Sequence, residues 1–318
     1  MVEYHMEKKS FSEKLSIACG YLLHPAALAA RCVVAFVNSN KIDDETYLKL
    51  RYRLVFRKRL NLKNPKTYNE KLQWLKLYDR NPEYTIMVDK YAMKKWVASR
   101  IGEGYTITNY GIWDNPEEID FDSLPDKFVL KGTHDTGSFC ICKDKNNFDR
   151  ESAIAKMKKS MLRDQYIFSR EWPYKNVPHR VLAEEYIVDE SGYELKDYKF
   201  FCFDGKPYMM FIASGRTKGE TTFDYYDMSF NHLDITQTHP NSSRGYEKPK
   251  DFEKMKELAS RLSAGIPQLR VDFYYVNGKI LVGELTFFHY GGFVPFHPDK
   301  WDMILGDLIK LPQKTSDR

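Results

Sequence analysis

The sequence predicts an α+β chain of 318 residues, helical and basic in its first third and strand-rich beyond it. Three observations carry this prediction. Apolar residues recur at helical spacing as far as about residue 100. After about residue 104, short strand-like runs alternate with the turn dipeptides Asp204-Gly205 and Asn277-Gly278. Charge divides the same way: residues 1–100 hold 20 Lys+Arg against 10 Asp+Glu, and residues 101–318 hold 29 against 34.

The helical third comes first. "NPKTYNEKLQWLKLYD" sets Leu72, Leu75 and Leu77 with Trp74 on helical spacing, entered through Pro65 and Thr67. "DKYAMKKWVASRIG" reads as a second helix, stopped at Gly102. The run "RYRLVFRKRL" at 51–60 is either the solvated face of a helix or a patch for an anionic partner. Residues 16–37 are the most apolar stretch. His24-Pro25 and Arg31 interrupt it, so a spanning helix is not expected. A buried helical hairpin and a peripheral membrane contact over 15–38 both fit. No signal peptide is expected.

The strand-rich part follows. "KFVLKG" (127–132) and "SFCICKD" (138–144) read as strands around the polar loop "GTHDTG". Residues 150–163 read as a helix and "RVLAEEYIVD" (180–189) as a strand leaving into an acidic turn. "KDYKFFCF" and "KPYMMFIAS" form a hairpin. Residues 214–250 read as a long irregular segment, 250–264 as a helix. After the hairpin "RVDFYYVNGKILVGELTF" comes a Gly/Pro/His loop (288–299) and a terminal helix. The five cysteines are odd in number and scattered without zinc spacing, which reads as reduced thiols in a cytosolic protein.

Two segments carry chemistry. Around the 132–138 loop, Gly132 and Gly137 let backbone N–H groups approach an anion. The hydroxyls of Thr133, Thr136 and Ser138 can donate, and Lys131 aims a cation at the loop. The final hairpin is the sharper signal, because Arg270, Asp272, Glu284 and Thr286 interrupt otherwise apolar strands. A plain two-residue Asn277-Gly278 turn puts Asp272 and Glu284 on opposite faces. A three-residue loop, pairing 275 with 279, or a bulge brings all four to one face. In the three-residue case Val271, Phe273, Leu281, Leu285 and Phe287 lie behind it. Asp, Glu and Thr oxygens on one face suit Mg²⁺ bridging phosphates, with Arg270 meeting a phosphate bidentately. The competing reading is a half-solvated strand face with surface ion pairs. Asp197 and Lys199 share a strand face in the same way.

"KFVLKG", "AEEYI", "DYKFF" and "RVDFYYVNGK…GELTF", in this order, resemble the ATP-grasp fold. With "NPKTYNEKLQWLKLYD", "DKYAMKKWVASRIG", "SREWPYKN" and "DYKFFCFDGKP", they resemble its TupA-like family, found in bacterial surface-polysaccharide gene clusters. The resemblance covers roughly residues 50–312. Beside the helical basic region read over 1–100, it implies a small lobe over 101–188 and a large lobe over 189–318, clamping ATP. Lys90 and Lys131 would contact phosphates, covered by Gly132, Thr133, His134, Gly137 and Ser138. Glu184, with Glu185 and Ile187 at the hinge, would meet adenine, and Asp189 or Glu190 the ribose. Lys199 would reach a phosphate and Arg270 the transferring phosphoryl. Asp272, Glu284 and Thr286 would hold Mg²⁺.

The activity implied is an ATP- and Mg²⁺-dependent carboxylate–amine ligase. It would act on a uronic acid of an acidic glycan or glycan precursor, lipid-linked or free, with an amine co-substrate, in the cytoplasm or at the inner membrane face. Two departures stand out: Asp135 sits in the phosphate loop where a small residue is expected, and Thr286 stands where many ATP-grasp enzymes carry Asn. Asp135 motivates a non-catalytic module as an alternative. Asp120-Phe121-Asp122 formally matches a nucleotide-sugar motif and motivates a glycosyltransferase. Nucleic acid is not an expected partner, since the basic run is short and no recognition motif accompanies it.

Overall fold

The computed structural model describes residues 42–216 and 219–314. The apolar stretch at 16–37, with the membrane contact expected there, lies outside the described residues. The chain divides into two compact units, residues 1–61 and 62–318. In the first, helix α1 (Asp44–Phe56) starts at Asp43, whose carboxylate accepts the Thr46 N–H at 2.9 Å, and stops at Arg57 in the left-handed region. Leu50, Leu54 and Val55 are exposed on it, alongside exposed Arg53.

The second unit opens with α2 (Tyr68–Tyr78), α3 (Glu83–Val88) and α4 (Ala92–Ile101). Thr67 and Glu70 form a capping box at the start of α2, and Gly102 ends α4 with φ +96°. The apolar side of these helices, including Leu72, Trp74, Met87 and Val97, joins the larger of two cores.

Two antiparallel sheets follow. The smaller has the order β1-β4-β2-β3, with β1 (Asn109–Trp113), β2 (Phe128–Gly132), β3 (Phe139–Cys142) and β4 (Val181–Glu185). One of its faces carries Phe128, Leu130, Cys142, Val181 and Ala183 into a separate core with α5 (Arg150–Met161). A short helix α6 (Gln165–Ser169) and a 3₁₀ turn at Trp172–Asn176 lead from α5 towards β4.

The larger sheet has the order β10-β9-β5-β6-β7-β8, built from β5 (Asp197–Phe203), β6 (Lys206–Ser214), β7 (Thr222–Asp227), β8 (His232–Leu233), β9 (Leu269–Val276) and β10 (Lys279–Thr286). Helix α7 (Phe252–Ser263) covers its back through contacts such as Phe252 against Phe200, 5.7 Å between rings. Helix α8 (Lys300–Leu308) packs on α2.

Most expected elements form within a few residues of their expected ends. The exceptions are β1, where the sequence predicts no strand, and 214–250, which holds β7 and β8 rather than only irregular chain. "TTFDYYD" lies among Gly, Ser and Thr, so its composition resembles a loop. Phe223, Tyr225 and Tyr226 nevertheless bury as strand residues against β6.

Candidate active site

The β9–β10 hairpin turns on two residues, with Val276 opposite Lys279, Asn277 at φ +50° and Gly278 at φ +77°. The expected three-residue loop is therefore corrected. The parity change comes from a β-bulge instead: Val282 faces Phe273, Gly283 has no partner, and Glu284 faces Asp272. Thr286 then faces Arg270, so all four polar residues share one face. Leu281, expected behind, lies on this face too, opposite Tyr274. Gly283 is required sterically, because a Cβ there would stand 2.6 Å from Tyr274 Cε2. The outer edge of β10 is closed at the bulge, where the Val282 N–H donates to the Tyr105 carbonyl at 2.7 Å.

These side chains form a buried charge cluster. Arg270 donates from Nε and Nη2 to the two oxygens of Asp272, 2.7 Å each, and from Nη2 to Thr286 Oγ1 at 3.0 Å. Lys199, opposite Asp272 on β5, donates to the same carboxylate and stands 3.4 Å from Asp197. Arg216 pairs with Asp197 at 2.5 Å. Burial alone would raise the Asp197 carboxyl, but Arg216 and Lys199 outweigh it and hold it below its usual value.

Glu284 differs from its neighbours. It is partly exposed and, among the described residues, meets only Arg270 Nη2, at 3.8 Å. No group of three or more His, Cys, Asp or Glu could cage a metal among the described residues. Mg²⁺ ordinarily takes one or two carboxylates and completes its shell with phosphate oxygens and water. The donor set fits that demand through Glu284, whose carboxylate has no hydrogen-bond donor among the described residues. Asp272 is already committed to Arg270 and Lys199.

The small sheet presents a second cluster. Glu184, on β4 opposite Val129, forms ion pairs with Lys131 of β2 and Lys94 of α4, each at 2.6 Å. Burial raises this carboxyl, and the two lysines more than reverse the effect. Phe139 and Ile141 stand opposite Lys131 and Val129 on the same face and are exposed. The result is a face with an apolar floor beside a paired carboxylate and two cations. The two clusters lie within electrostatic reach of each other. The half-buried Tyr274 phenol is pushed well up by Asp197, then by loss of solvent, and it also feels Glu184 and Glu284.

The polar loop after β2 is built from its own side chains. Lys90 Nζ donates to the Gly132 carbonyl at 3.2 Å and to that of Asp135. The Thr133 hydroxyl donates to the Pro178 carbonyl at 2.8 Å, and His134 Nε2 lies 3.0 Å from the Ser160 carbonyl, its ring stacked on His179. Asp135 is buried and turned inward, taking the Ser160 hydroxyl at 3.0 Å and that of Ser138. Gly132 admits this packing, since a Cβ there would stand 2.4 Å from Ser160 Oγ. Gly137, at φ +84°, has open space around it. Arg163 Nη1 donates to Ser138 Oγ at 3.0 Å.

At the end of β4, Glu185 is exposed and Ile187 half-buried. Asp189 is buried and takes Lys196 at 2.5 Å, which also meets the exposed Glu190 at 3.1 Å. Asp120-Phe121-Asp122 is a turn: Asp120 accepts the Asp122 and Ser123 N–H groups, Phe121 packs into the small core, and Asp122 pairs with Arg150 at 2.9 Å. Sequence reasoning missed Lys94, Arg216 and Gln237. Lys94 alone had a signal, four residues after Lys90 in a Lys-rich helical block.

Two antiparallel sheets with charged faces, a Gly-bounded polar loop and a basic–acidic hairpin define the ATP-grasp class of fold. The chain belongs to the TupA-like ATPgrasp family, whose model matches residues 70–310. No curated protein matches it. Similar solved structures include the ATP-grasp ligase PsnB with minimal precursor, Mg and ADP, at 12% identity, 69% of this chain, 57% of that one and TM-score 0.36. A D-alanine–D-alanine ligase from Helicobacter pylori shares 15% identity over 76% of this chain and 69% of its own, with TM-score 0.41. The Bacillus anthracis enzyme complexed with ATP shares 18% over 70% and 57%, with TM-score 0.36. The chain thus spans a little over half the length of the first of these.

Proposed function

We propose that the chain is an ATP- and Mg²⁺-dependent ligase that activates a carboxylate as an acyl phosphate for attack by an amine. The observation that carries this reading is the Gly283 bulge, which gathers Arg270, Asp272, Glu284 and Thr286 on one face beside Lys199. Phosphoryl transfer needs positioning and charge neutralisation more than a covalent nucleophile. Arg270 and Lys199, fixed by Asp272, would meet the transferring phosphoryl and a neighbouring phosphate. Lys94, Lys131 and the loop N–H groups beyond Thr133 would hold the rest of the nucleotide, with its base against Phe139 and Ile141, since the Gly132 and Thr133 N–H groups already donate to the Ser138 and Arg180 carbonyls. Glu284, with Thr286 beside it, would hold Mg²⁺, which when bound neutralises phosphate charge. Asp189 or Glu190 would take the ribose.

Asp135 does not argue against nucleotide binding, because it is turned into Ser160 and Ser138. The finer reading is that the carboxylate belongs to a uronic acid of a bacterial surface polysaccharide or its precursor. The family resemblance supports it, as does the cationic surplus of the first hundred residues.

The test pairs calorimetry with product analysis. MgATP should bind with micromolar affinity, and ADP should be released only when a uronic-acid oligosaccharide and an amine are both supplied. Absence of ATP binding together with absence of turnover would sink the proposal. A preference for UDP-sugars over ATP would favour a glycosyltransferase.

A further inference from the structure

His289 opens the turn after β10 and is 2% exposed. Its Nδ1 stands 2.7 Å from Arg270 Nη1 and its Nε2 2.8 Å from Gln237 Oε1. A guanidinium only donates, so Nδ1 must accept, and the ring proton must sit on Nε2 and be given to Gln237. Gln237 Oε1 also accepts the Tyr225 hydroxyl at 2.8 Å, which fixes the amide orientation. The imidazole is therefore neutral. Burial, then the charges of Arg270 and Lys199, hold its pKa well below the usual histidine value.

Four of the five N–H bonds of Arg270 are thereby spent: two on Asp272, one on Thr286 and one on His289. One N–H on Nη1 has no acceptor among the described residues and is left for a ligand. The choice of acceptor matters. A carboxylate in place of His289 would add a third negative charge to Asp272 and Glu284 around the guanidinium, whereas a neutral imidazole fixes its direction and adds none.

His289 is itself held from behind. The next three residues, Tyr290, Gly291 and Gly292, all have positive φ. The carbonyls of Gly291 and Gly292 accept from Gln73 Nε2 at 3.1 and 2.8 Å, and Gly291 also accepts Lys76 Nζ at 2.7 Å. Gln73 and Lys76 are buried polar residues on one face of α2, so this helix sets the turn and the turn sets the imidazole.

We infer that His289 is a positioning residue, which aims the free N–H of Arg270 at the reacting phosphoryl by acting as a neutral acceptor. This rests on the ligase reading above, in which Arg270 meets that group. The full chain with MgATP, a uronic-acid oligosaccharide and an amine provides the test. His289→Leu keeps the bulk and removes the acceptor, so kcat should fall about a hundredfold with KM for ATP within about threefold. His289→Asn puts a carbonyl oxygen near the place of Nδ1 and should recover kcat to within about fivefold of wild type. His289→Gln reaches towards Gln237 instead and should not. Equal loss in the Asn and Leu variants, both folded by circular dichroism, would overturn the proposal.

Nitrogen-15 NMR supplies a readout that does not depend on turnover. His289 should remain the neutral Nε2–H tautomer from pH 6 to 8, and its Nδ1 shift should move in Arg270→Met. A proton on Nδ1, or a shift indifferent to Arg270→Met, would also overturn it. If wild type releases no ADP while these shifts behave as expected, the ligase reading fails, and with it the role assigned to Arg270.

Discussion

Asp272 and Glu284 stand directly opposite each other on neighbouring strands because one residue, Gly283, is left out of the pairing between them. Without that bulge the two-residue turn would send Glu284 and Thr286 to the α7-covered face. Gly283→Ala brings a Cβ to 2.6 Å from the Tyr274 ring, so it should cost about 1–3 kcal/mol by urea unfolding. Deleting Gly283 should be worse. It restores regular pairing and buries a carboxylate in the large core, and the expected result is failure to fold cooperatively.

Glu184 balances two cations in a nearly closed site. Glu184→Gln keeps the shape and leaves Lys94 and Lys131 facing each other without their shared anion. Removing one partner of a buried ionic set typically costs about 3–5 kcal/mol. Chemical denaturation should report a loss of that size, with MgATP affinity reduced as well. A variant as stable as wild type would show that the cluster is not held by its carboxylate.

Asp135 separates two accounts of the polar loop. If its charge repelled phosphate, Asp135→Asn would tighten ATP binding. The side chain instead accepts from Ser138 and Ser160 and lies beside Arg163. Asp135→Ala should therefore weaken ATP binding about tenfold and make the loop more sensitive to proteolysis. Calorimetry on the two variants decides.

Stability should fall in mild acid for a specific reason. The native chain keeps His289 neutral, whereas the unfolded chain protonates it near its ordinary value of 6.5. Below that pH the unfolded state binds the extra proton, so stability rises with pH up to about 6.5 and levels off above it. The slope from this group is at most about 1.4 kcal/mol per pH unit. His289→Asn should lose that part of the slope. Urea midpoints at pH 5.5, 6.5 and 7.5 are the measurement.

Much of the fold was legible because local signals agreed with the global arrangement. The Thr67 capping box, the Gly102 stop and the Asp204-Gly205 and Asn277-Gly278 turns each specify an element end from a few adjacent residues. Strand β7 was not legible, because its burial depends on pairing with β6 rather than on its own composition. At the site, parity along β9 and β10 demanded some odd insertion, and the structure supplies it at Gly283 rather than at the turn. The partners of the charges were harder to read. Lys94 meets Glu184, and Gln237 meets His289, across separations in sequence that no spacing rule spans.

The most direct test is ADP release by wild type and Glu284→Gln, followed with MgATP, a uronic-acid oligosaccharide and an amine. Glu284 is the carboxylate of this face that accepts no hydrogen bond among the described residues and meets Arg270 only at 3.8 Å. Wild type should release ADP in step with amide formation, and the variant should lose at least about a hundredfold in kcat while keeping its fold. Equal turnover in the two proteins, or no ADP from wild type with any acceptor pair, would contradict the assignment of this hairpin as the centre of phosphoryl transfer.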